Sequence, residues 1–83
     1  MENKSHKKNR NYTLVLFENG SNFHKQVGRM ETKSIRRFHT RLRLLPPQIE
    51  CYLRVHYPDG GHNDGCYTDK EDLLMAFEAF CED

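Results

Sequence analysis

Apolar and polar positions change period several times along this chain, and each change marks an element. Tyr12–Glu18 is a run of strand formers ending at Asn19-Gly20, a pair that tolerates the positive φ angles of a two-residue hairpin turn. The pattern predicts a return strand from Ser21 to about Met30, with Leu16 opposite Phe23, Leu14 opposite Lys25 and Tyr12 opposite Val27. Those six form the expected buried side; Thr13, Val15, Phe17, His24 and Gln26 form the other. From Thr32 or Ser34 to Leu45 the period becomes helical. Ile35, Phe38, Leu42 and Leu45 make one apolar stripe, and Pro46-Pro47 stops it.

The layout then repeats. In Glu50–Tyr57, Cys51, Leu53, Val55 and Tyr57 alternate with Tyr52, Arg54 and His56. Tyr57-Pro58-Asp59-Gly60 predicts a type I turn, because proline presets φ and glycine accepts the left-handed position. A short strand is expected near His62–Tyr67, then a capping box from Thr68 to Glu71. The helix that follows should bury Leu73, Phe77 and Phe80 and turn Met75, Glu78 and Glu82 outward. The fold class is therefore α+β: a four-stranded antiparallel sheet in ββαββα order, with both helices on one face. Residues 1–10 read as a flexible basic arm, and 11–83 as a single domain.

Charge adds what periodicity does not show. Residues 1–45 hold eleven lysines and arginines against three acids, a formal charge of +8. Residues 46–83 hold two basic residues against nine acids, a charge of −7. A net charge of +1 thus hides a strong dipole. At 83 residues the core is small, and a deep water-excluding cavity is hard to build. No apolar run approaches the roughly 20 residues that span a bilayer, so no membrane association and a cytoplasmic location are expected. Three cysteines, an odd number, predict reduced thiols, not a disulfide framework.

No enzyme, cofactor or metal is expected. Cys51, His56, His62 and Cys66 match no common zinc spacing, and strand alternation sends Cys51 and His56 to opposite faces. Nothing supplies an oriented base or an oxyanion hole.

The candidate sites are surfaces. An acidic surface of Asp59, Asp64, Glu71, Asp72 and Glu78, with Phe17, Tyr52 and Met75 as apolar anchors, is the expected protein-binding set. The alternative is nucleic-acid binding through Lys7, Lys8 and Arg10 of the arm and Arg36, Arg37 and Arg43 of the helix. The open sheet face, bearing Val15, Phe17, Tyr52, Arg54, His56 and His24, could stack bases, anchor a protein, or close a homodimer.

One stretch carries a likeness. Asn11-Tyr12 and Leu14-Val15-Leu16-Phe17-Glu18-Asn19-Gly20-Ser21 resemble the opening hairpin of small phage anti-CRISPR proteins that act on type I surveillance complexes. The resemblance implies a non-enzymatic inhibitor that blocks a nucleoprotein complex by occupying its surface. It covers about a dozen residues and transfers no contact residue.

Overall fold

The computed structural model describes residues 9–81. The elements follow in the expected order: β1 (Asn11–Phe17), β2 (Gln26–Thr32), α1 (Ile35–Arg43), β3 (Gln48–His56), β4 (His62–Asp69) and α2 (Lys70–Cys81). Neighbouring strands are antiparallel in the spatial order β2-β1-β3-β4. The two strands with the cleanest apolar alternation, β1 and β3, therefore take the centre, and the more polar β2 and β4 take the edges.

Tyr12 and Leu14 from β1, and Cys51, Leu53 and Val55 from β3, are buried with Phe38 and Leu42 of α1 and Leu73 and Phe77 of α2. The Phe38 and Phe77 rings stand 5.4 Å apart, and Tyr12 packs on both, at 5.4 and 5.8 Å. A single aromatic cluster thus fixes both helices to one face of the sheet, each ring contributing roughly 1.5–3 kcal/mol through burial. α1 packs on β2 and α2; α2 packs on β3 and β4. Each helix consequently covers its own side of the sheet.

The first hairpin departs from expectation. Tyr12 pairs with Thr32, Leu14 with Met30 and Leu16 with Gly28, so β2 begins only at Gln26. The cause is Glu50 on β3. Its carboxylate accepts hydrogen bonds from the Gly20 amide at 2.7 Å, the Phe23 amide at 2.9 Å and the Ser21 hydroxyl at 3.4 Å. Asn19 ties the same loop to β3 by accepting from the Glu50 amide at 3.0 Å and donating to the Gln48 carbonyl at 3.2 Å. The turn at Asn19-Gly20 still closes, the Ser21 amide donating to the Glu18 carbonyl at 3.0 Å. The bonds to one charged acceptor nevertheless hold the chain in a wider loop, and the Glu18 amide donates to the Lys25 carbonyl at 2.8 Å before β2 begins. Asn22 and Phe23 accept positive φ angles of 59° and 62° to complete the winding.

This displaced register exchanges the two faces of β2. Phe23 leaves the expected core side and meets Phe17 edge-on at 5.8 Å. Val27, skipped at a bulge between Leu16 and Phe17, is 60% exposed. His24 sits in the loop instead of on the open face. Ile35, expected in the buried stripe, lies at the start of α1 and is exposed.

The second hairpin closes as its residues predict. The Gly60 amide donates to the Tyr57 carbonyl at 3.1 Å, Gly60 takes φ +97°, and Asp59 accepts from the Gly61 amide at 3.0 Å. One detail shifts at α2: the cap is Asp69, which accepts from the Glu71 amide at 3.2 Å, and not Thr68. β4 stays paired with Gln48 as far as Asp69, and the Lys70 amide still donates to the Pro47 carbonyl, so the helix cannot begin earlier.

Each helix ends on a cation from the other half of the chain. Lys70 donates to the Arg43 carbonyl at 3.1 Å, and Arg10 donates through Nη1 to the Cys81 carbonyl at 3.2 Å. Arg10 is only 2% exposed, and its guanidinium lies 5.0 Å from the centre of the Tyr57 ring. The Tyr57 hydroxyl donates to the Phe80 carbonyl at 2.6 Å. α2 has no basic residue in its own last turn, so Arg10 supplies the positive charge that the carbonyl end favours. None of the described helices is long and apolar enough to cross a membrane.

Candidate functional site

α1 carries a basic outer face. Ser34 caps it, its hydroxyl accepting from the Arg37 amide at 3.2 Å, while Phe38 and Leu42 turn inward. Helical spacing then places Arg36, Arg37, Thr40, Arg41 and Leu44 on the opposite side. These residues, with Ser34 and with Arg29 and Met30 of β2, line a shallow groove of about 710 Å³. The first turn of α1 contains no acid, although helix N-termini favour negative charge. Among the described residues Arg36, Arg37, Arg41 and Arg43 form no ion pair. Arg29 differs: it binds Glu31 at 3.1 Å, and a hydrogen bond from Asn11 first, then this one, lowers the Glu31 pKa.

α2 carries the acidic counterpart. Glu71, Met75 and Glu78 are spaced four and three residues apart, which sets them along one face, with Asp72 beside them. All four are exposed, and Met75 is 69% accessible, among the most exposed large apolar side chains described. Glu71, Asp72 and Glu78 make no ion pair among the described residues. α1 lies on the β2 side of the sheet and α2 on the β4 side, so the two sets of charge occupy different flanks.

The third surface is the uncovered sheet face. Register puts Val15 beside Tyr52 and Tyr52 beside Cys66, then Thr13 beside Arg54 and Arg54 beside Asp64. The Tyr52 hydroxyl donates to Asp64 at 2.8 Å; partial burial first, and then this bond, raises the Tyr52 pKa. His56 and His62 stack with ring centres 6.1 Å apart. Asp64 serves Tyr52 and stands 4.0 Å from the His62 Nε2, while the Arg54 Nε is buried without a hydrogen-bond partner among the described residues. Cys51 faces the core instead, and burial pushes its thiol pKa up to about 12, so it is held as an unreactive neutral thiol.

The structure divides the predicted protein-binding residues. Glu71, Asp72, Met75 and Glu78 come together on α2. Phe17, Tyr52 and Asp64 belong to the opposite sheet face, and Asp59 sits at a hairpin tip serving its own turn. Phe17 is half-covered by Phe23. Of the predicted basic residues, Arg36 and Arg37 share the groove, while Arg43 lies to one side with Thr40 and Leu44. Arg10 is not part of an exposed basic surface: its guanidinium is buried at the end of α2. Lys7 and Lys8 lie outside the described residues. Sequence reasoning left Arg29 and Met30 out of this region because it misplaced β2.

No family model, curated protein or solved structure matches this chain.

Proposed function

We propose that this chain is a small non-enzymatic binding module that acts by occupying the surface of a protein or nucleoprotein complex, in the manner of the phage inhibitors its first hairpin resembles. The carrying observation is the outer face of α2: Glu71, Asp72 and Glu78, free of ion pairs among the described residues, surround the exposed Met75. Carboxylates along a rigid helix suit a basic cleft of the kind that holds nucleic-acid phosphates, and a protruding methionine supplies adaptable apolar contact. Rim charges of this sort mainly speed encounter, and the apolar anchor slows release.

The test is comparative capture from a nuclease-treated phage-host lysate. Immobilised wild-type chain should retain a defined protein set that is lost with Glu71→Lys/Met75→Asp/Glu78→Lys but kept with Tyr52→Ala. An identical set from wild type and the α2 variant would overturn the reading.

A further inference from the structure

The groove between α1 and β2 has no role in folding that accounts for its composition. Arg36 and Arg37 stand in the first helical turn, where the helix dipole repels cations, and no acid on α1 offsets them. Arg37 and Arg41 are one turn apart on the same face, as are Arg36 and Thr40. The Thr40 and Ser34 hydroxyls lie among them, and Met30 with the 76% exposed Leu44 adds an aliphatic surface. Guanidinium groups interspersed with hydroxyls are the donors that phosphate oxygens take best.

We propose that this groove holds the phosphate backbone of a nucleic-acid duplex, through contacts that do not read the bases. Three features of the lining choose this occupant. It contains no aromatic side chain, so unpaired bases have no stacking platform of the kind single-strand binders use. It likewise lacks the buried aromatic anchor pocket that fixes most protein partners. What it offers is closely spaced cations, and a duplex backbone presents the densest line of negative charge to meet them. Arg29, already bonded to Glu31, forms a wall and does not count among the three phosphate ligands Arg36, Arg37 and Arg41. This surface is independent of the acidic face of α2, which lies on the other flank.

Fluorescence anisotropy of a labelled short DNA duplex, titrated with the purified full chain over a salt series, tests the proposal. Three phosphate contacts predict a log–log salt slope of roughly −2 to −3. Arg36→Glu/Arg37→Glu/Arg41→Glu should weaken binding on the order of tenfold or more at low salt. If circular dichroism shows that variant unfolded, the Arg→Gln triple is read in its place and should show the same direction. Glu71→Gln/Met75→Ala/Glu78→Gln should bind as wild type, which separates this test from failure of the α2 reading. The proposal is overturned by absence of duplex binding at low salt, or by tighter binding of the same sequence as a single strand. Equal binding of polyglutamate overturns it too, as does an equal loss when Lys25 and Arg43, outside the groove, are reversed instead.

Discussion

The first hairpin winds its connection around Glu50, a side chain from the other half of the chain, whereas the second closes on its own Asp59 and Gly60. The helix ends differ in burial instead, since each is met by a cation from the other half of the chain. The half-buried Lys70 reaches the end of α1 through an exposed hydrogen bond, while Arg10 meets the end of α2 from near-complete burial. Two hairpins of one layout thus close by opposite means, one local and one long-range. A good turn dipeptide fixes its own turn, while a charged acceptor from the rest of the fold decides where strand pairing resumes.

The largest effect should come from the element both halves share. Phe38→Ala and Phe77→Ala should each cost about 3–5 kcal/mol, since both open a void beside Tyr12. Denaturant melting should show one transition in each case, and two separate transitions would mean that the halves have separate cores. Next comes the contrast between cations. Arg10→Met should cost about 1.5–3 kcal/mol by removing a buried charged donor, while Lys70→Met should cost less than about 1 kcal/mol. Equal losses would erase that distinction.

Turn glycines come third. Gly60→Ala and Gly20→Ala have open space around the added methyl, so only the φ angles of +97° and +88° oppose them, at about 1 kcal/mol each in thermal melts. The effect confined to acid is the smallest at neutral pH. Backbone hydrogen bonds from Phe23 and Gly20 lower the Glu50 pKa below its ordinary value of 4.5. A depressed carboxyl contributes stability above its unfolded pKa and loses it as pH falls through the folded value. Wild type should therefore lose stability below about pH 4.5 faster than Glu50→Gln, whose acid limb should be flatter; parallel limbs would remove Glu50 as the loop's anchor.

Much of this molecule was legible from residue order. Leu14, Cys51, Leu53 and Val55 alternate so cleanly that the central strands and their inward faces follow from period alone. Phe38, Leu42, Leu73 and Phe77 set both helices against that face. The register of β2 was not legible, because it depends on a carboxylate about thirty residues away and not on Asn19-Gly20 alone. Its loss hid the groove, which needs Met30 and Arg29 beside α1. The role of Arg10 was equally hidden: a lone arginine in a polar stretch gives no sign that a helix end from the far terminus will bury it.

Positive and negative side chains of the two helices occupy different flanks without cancelling. Amide relaxation measured by NMR with an anionic and then a cationic paramagnetic co-solute tests it on the free chain. The anionic probe should enhance relaxation around Arg36, Arg37 and Arg41, and the cationic probe around Glu71, Met75 and Glu78. Equal enhancement of both helices by both probes would contradict the account.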